Sequence, residues 1–160
     1  MRLIIAPLLL MGANAAYAQS VPPQGNVNVT FTATNSTPLK PMSIGDGKQF
    51  VVVNYSMTAF NNDGNPILHM MGGRCEFANV LDASNKPLEV RGWCTYADKD
   101  GDQIFEQCAI PQCTLTGGTG KFDGLHADLQ ITNTPLKTVF EGNTQAIGTK
   151  KGSYEIMKRH

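Results

Sequence analysis

The sequence predicts an all-β fold, a closed antiparallel up-and-down β-barrel of about eight strands. Three observations carry that expectation. No segment of the 160-residue chain keeps a helical period for three turns. Alternating or β-branched runs of strand length recur throughout. Turns of Gly, Asn, Asp and Pro separate them and are short enough to join neighbours, and neighbour-to-neighbour pairing can close without an open edge.

Met1–Ala18 reads as a secretory signal peptide. Arg2 is the positive start, Leu3–Met11 the apolar segment, and Ala16-Tyr17-Ala18 the small-x-small cleavage site. Gln19–Gly25, with Pro22-Pro23, reads as a loose leader, and 26–160 as a single barrel domain. Export places the chain in a secreted or periplasmic, oxidising compartment. The apolar segment is short for a membrane span, and no later run is longer. Without Arg2, 12 basic residues stand against 13 acidic ones, an overall balance that supplies no electrostatic footprint for nucleic acid or anionic membrane.

Asn26–Thr34 alternates Val27, Val29, Phe31 and Ala33 against polar neighbours, as a half-buried strand does. Asn35–Lys48 is turn-rich. Gln49–Phe60 is a strand, ended by the turn Asn61–Pro66. Ile67–Asp82 and Leu88–Ala97 form a hairpin about the polar turn Ala83–Lys86. Asp98–Gly101 turns into Gln103–Cys108, and Ala109–Gln112 reverses the chain toward Thr114–Thr116. Leu125–Thr132 alternates again, Leu136–Phe140 is a short strand, and Gln145–Met157 is the last.

A four-residue loop at Ala83–Lys86 sets Asn79 opposite Val90, Leu81 opposite Leu88, Phe77 opposite Gly92 and Cys75 opposite Cys94. Directly opposed cysteines in such a pair are within disulfide reach. Phe77 would cover the bare backbone at Gly92. The four cysteines lack two close C-x-x-C pairs, so two disulfides fit better than a zinc site. Cys75–Cys94 and Cys108–Cys113 each close a hairpin. Cys94–Cys108 stays open if the Asp-Gly turn has a three-residue loop. Arg74, Glu76, Glu89 and Arg91 share the outer face as cross-strand ion pairs.

The run Leu115-Thr116-Gly117-Gly118-Thr119-Gly120-Lys121-Phe122-Asp123-Gly124 resembles the GGTGKF-x-G segment of the allene oxide cyclase barrel-like families, relatives of plant allene oxide cyclases and dirigent proteins. Trp93-Cys94-Thr95-Tyr96 and Asp98-Lys99-Asp100-Gly101-Asp102 resemble the strand and turn of their uncharacterised bacterial secreted members. The resemblance covers Gly72–Gly124 and implies a calycin-like barrel. From the plant cyclases it implies a cofactor-free isomerase working in an apolar cavity. It also leaves homo-oligomerisation open. No catalytic residue is carried over from it.

The glycine run is not a phosphate loop. Leu115 stands where the first glycine belongs, Phe122 follows Lys121, and a strand follows rather than a helix. Asp98, Asp100 and Asp102, with Glu106 nearby, are oxygen ligands of the type calcium takes, but Gly101 precedes the third aspartate and breaks the EF-hand spacing; a plain turn fits better. There is no G-x-S-x-G elbow. Tyr55, Met57, His69, Met71 and Phe77 are the candidate ligand contacts. His69 shares strand parity with Met71 and Phe77, so it points inward or sits hydrogen-bonded at the rim. The expected function is an exported barrel holding a small apolar or amphipathic ligand, without cofactor. A cyclase or isomerase and a filled structural or interaction module are the alternatives.

Overall fold

The computed structural model describes residues 20–35, 40–137 and 143–157. The expected signal peptide lies outside the described residues. Alternation builds the wall. Val27, Val29, Phe31 and Ala33 are all buried on β1 (Gln24–Asn35), while Thr30 and Thr32 face outward. The same period runs through β3 (Lys48–Asn61), β4 (Met71–Leu81), β5 (Pro87–Ala97), β6 (Gln103–Ala109), β7 (Gln112–Gly118), β8 (Leu125–Leu136) and β9 (Thr144–Ile156). From β3 to β9 each strand pairs antiparallel with the next. β9 then pairs with β1, and β1 with β3, so eight strands close into a barrel. A ninth, β2 (Met42–Gly45), lies outside the ring along the free edge of β3. A 3-10 turn, Gly120–Phe122, is the helical element of the described residues.

The central hairpin has the expected register: Cys75 faces Cys94, Phe77 faces Gly92 and Asn79 faces Val90. A Cβ at Gly92 would stand 2.4 Å from the Phe77 ring and 2.6 Å from the Glu76 carbonyl oxygen, so the ring uses the space the glycine leaves. Disulfides join Cys75 to Cys94 and Cys108 to Cys113.

Several boundaries differ from the sequence expectation. Leu81 faces Pro87, not Leu88, because the ladder slips by one residue after Val80. Ile67–Met70 is not strand. Leu68 and Met70 take φ of 55° and 51°, which ends extended pairing, and the loop turns Ile67 and Leu68 into the core as a plug. β8 runs unbroken through Pro135 to Leu136, since Pro135 still faces Ala146 across the ladder. β2 arises within a stretch read as turn. The outer-face ion pair is Arg91 with Glu89, two residues apart on one strand rather than across strands.

Candidate functional site

The two ends of the barrel are built differently. At one end the plug residues Ile67 and Leu68 pack with Met71, Phe122 and Leu125, all fully buried. Toward the other end the lumen widens into a cavity of about 330 Å³. Phe31, Tyr55, Met57, Phe77 and Ile131 form its apolar wall, and Asn79, Asn133 and Ile110 stand nearer the mouth. The Tyr55 and Phe77 rings meet edge to face, 6.0 Å between centroids, which braces that wall. Larger hollows exist on the outer surface, one of about 600 Å³ beside His126, Asp128 and Glu155, but they are open and polar. Among the described residues, the lumen cavity combines an apolar wall with enclosure, the usual character of a small-molecule site.

Lys150 reaches the cavity from β9. Its parity on the strand is that of Ala146 and Tyr154, so its side chain enters the barrel and is 1% exposed. Nζ donates to Glu106 Oε1 at 2.6 Å and Oε2 at 2.5 Å, and to Tyr96 Oη at 2.9 Å. The Tyr96 hydroxyl donates in turn to Glu106 Oε2 at 3.2 Å. Glu106 enters from β6 between the buried Ile104 and Cys108, and Tyr96 from β5 beyond Cys94. The Phe31 and Tyr96 rings flank Nζ, with centroids 5.4 Å and 5.1 Å away. The Cys75 sulfur lies 3.8 Å from Tyr96 Oη.

This arrangement has a chemical consequence. An ammonium has three N–H donors, and all three are directed at Glu106 and Tyr96. The charges of Lys150 and Glu106 cancel within one hydrogen-bonded group, so the base of the cavity is polar but close to neutral. Such a base suits a neutral or weakly polar ligand better than a bare anion, which would find no free donor on Lys150. Burial, and then the adjacent Glu106 carboxylate, pushes the Tyr96 phenol well above its ordinary range, so it stays protonated and able to donate.

Of the residues singled out in the sequence, Tyr55, Met57 and Phe77 line the cavity. Met71 is buried at the plugged end. His69 stands on the loop before β4, with Nδ1 3.1 Å from the Asn61 carbonyl oxygen. Asp98, Asp100 and Asp102 gather around the Lys121 ammonium instead of leaving a vacant oxygen cage. Lys121 pairs with Asp98, with Asp100 at 3.1 Å and with Asp102 at 3.6 Å. Glu106 points away from that turn into the lumen. Glu106, Cys108 and Cys113 bring potential ligand atoms within 4.8 Å of one another, but the two sulfurs are bonded to each other and offer no thiolate.

Lys150 and Tyr96 were not among the sequence candidates. The signal for them is parity: each shares its strand's inward positions, where a lysine or a glutamate among apolar neighbours must be paired to be buried.

No family model matches the sequence, and comparison with curated proteins finds no match. Among solved structures the chain is similar to "Structure of the pterocarpan synthase dirigent protein GePTS1". The TM-score is 0.50 at 9% identity, over 88% of this chain and 91% of that one. A second similar structure is the pterocarpan synthase dirigent protein PsPTS1, with a TM-score of 0.48 at 13% identity over 85% of this chain and 97% of that one. The likeness to GePTS1 shows a shared barrel fold. Among the described residues no helix is long and apolar enough to cross a membrane, a fact that leaves strands aside.

Proposed function

We propose that this chain is an exported carrier or receptor for a small, neutral, apolar or amphipathic molecule held in the barrel lumen. One observation carries the reading: a cavity of about 330 Å³ with an apolar wall and one polar group, Lys150 with its partners, at the base. The apolar body of a ligand would lie against Phe31, Tyr55, Met57 and Phe77. A hydroxyl end would approach the Asn79 amide near the mouth. Two disulfides and the signal-like N-terminus support an oxidising destination.

The test is native mass spectrometry of protein purified from its own host, followed by displacement of an environment-sensitive apolar dye. A co-purifying apolar molecule, and a dye affinity that falls at least tenfold in Ala33→Phe, is the expected result. Ala33 lines the cavity, so the larger ring occupies it. Dye affinity unchanged by Ala33→Phe in a folded variant would place binding elsewhere and end the proposal.

A cyclase or isomerase is the second reading. Lys150 favours it, because its hydrogen bonds to Glu106 and Tyr96 fix a polar group at the cavity base against which a bound ligand could be oriented. Turnover lost in Lys150→Met with ligand affinity retained would move the assignment to that reading. The cavity itself weighs against a barrel filled by side chains.

A further inference from the structure

The mouth of the cavity is framed by a rim with a composition of its own. Met42 and Ile44 on β2, Leu88 at the start of β5, Ile110 in the β6–β7 turn and Leu136 at the end of β8 are exposed, with Met42 and Leu88 59% and 56% accessible. The strand register puts all of them at one end. The starts of β3, β5, β7 and β9 meet the ends of β4, β6, β8 and β1 there. Lysines are interleaved with them. Lys40 precedes Met42, Lys48 follows Ile44, Lys86 precedes Leu88 and Lys137 follows Leu136, and all four are exposed.

Acidic groups at this end offset the lysines only in part. Among the described residues they are Asp46, Asp82 and Glu89. Glu89 pairs with Arg91. The Asp82 carboxylate accepts from the backbone of Ser84 and Lys86 and from the Ser84 hydroxyl. The described acids Asp63, Asp98, Asp100, Asp102, Asp123 and Glu155 lie at the plugged end.

We propose that this rim docks mouth-first on an anionic lipid bilayer, from which the cavity takes or to which it delivers its ligand. The inference rests on the ligand reading above and names where the ligand comes from. Alternating lysine and large apolar side chains match a membrane interface: the apolar groups enter the headgroup boundary and the ammoniums meet the phosphates. The cavity opens at the centre of that rim, so an apolar ligand would pass between bilayer and lumen without crossing water. A second copy fits the rim less well, because a symmetric mouth-to-mouth contact would set the lysine ring against itself.

Flotation with two vesicle preparations tests this. One is phosphatidylglycerol with phosphatidylethanolamine, the other phosphatidylcholine alone. The full chain should bind the first, weakly or not at all the second, and lose binding as salt rises. Lys86→Glu with Lys137→Glu should lower binding by more than about tenfold, since each lysine near an anionic surface is worth about fivefold. Leu88→Asp with Leu136→Asp should lower it similarly. Trp93→Glu, on the outer wall of β5, should leave it unchanged. Both rim variants should keep dye affinity in solution, which shows that they fold and keep the cavity. Equal binding to the two vesicle types overturns docking, as does anionic-vesicle binding insensitive to both rim variants. Self-association of the wild-type chain that the Leu88→Asp and Leu136→Asp changes abolish, without vesicle binding, assigns the rim to a second copy and also overturns it. Dye binding without vesicle binding ends this inference alone. Vesicle binding without dye binding ends the ligand reading instead.

Discussion

Lys150 shows how much a single inward residue costs and how the chain offsets it. A lone ammonium in an apolar lumen is strongly disfavoured, and Glu106 with Tyr96 removes that penalty by pairing every donor. Breaking such a pair is worse than never having it, because the surviving charge stays buried. Lys150→Met should therefore destabilise the fold by about 3–5 kcal/mol in urea unfolding. The double change Lys150→Met with Glu106→Leu should recover most of that loss, because no charge is then stranded. Equal stability of the single and double variants would show that Glu106 finds another partner. The pair was hard to read from sequence for a physical reason. Glu106 stands eight residues after Asp98 in an acidic stretch and invites a reading as part of that surface cluster, while its partner lies 44 residues further on. Strand parity alone puts Glu106 inward with Ile104 and Cys108.

The turn joining β5 and β6 is held by charge rather than by apolar packing. Burial alone would raise the Asp98 carboxyl, but hydrogen bonds from Lys121 and from the Asp100 and Asp102 amides outweigh it and hold it below its ordinary value of 3.8. Asp100 is lowered by Lys99 and then by Lys121. Lys121 is raised above 10.5 by Asp98, against the opposing effect of burial, and further by Asp100. Carboxylates lowered on folding stabilise the fold above about pH 3.8, and that contribution is lost as pH falls through their folded values. A lysine raised on folding contributes below 10.5 and loses its share above its folded value. The wild-type melting temperature should thus drop more steeply below pH 4 than that of Lys121→Met. Parallel curves would show that the cluster contributes nothing. The hairpin before this turn was legible because its constraints were local: the four-residue turn, the opposed cysteines and the Phe77–Gly92 complement agree on one register. Removing Cys75–Cys94 should cost about 3 kcal/mol, and Cys108–Cys113, which closes a far shorter loop, about 2, as urea unfolding of the paired serine variants would show. The plug at Ile67–Met70 was not legible. Its apolar residues look like strand, and its direction depends on φ values that the core imposes on Leu68 and Met70.

Closure of the barrel depends on β1, and its two seams are unequal. β1 pairs with β9 over twelve residues, from Gln24–Glu155 to Asn35–Thr144. It pairs with β3 over six, Val29–Thr34 against Asn61–Ser56. The reason lies in how far the strands extend. β3 starts at Lys48, so its first half runs past the end of β1 toward the mouth, and the short β2 covers only Lys48–Phe50 of that edge. Of the two seams of β1, the one with β3 is therefore the shorter, and it stops before the mouth. Local opening follows the least supported hydrogen bonds. Along β1 successive amides point alternately to β3 and to β9, which gives an internal control within one strand. In native-state hydrogen exchange the β1 amides bonded to β3 should exchange faster than the adjacent ones bonded to β9, and an added lumen ligand should slow the first set more. The reverse order would mean that the barrel opens at β9, far from the Tyr55 and Met57 wall, and would remove the β1–β3 seam as the route by which the lumen gains access.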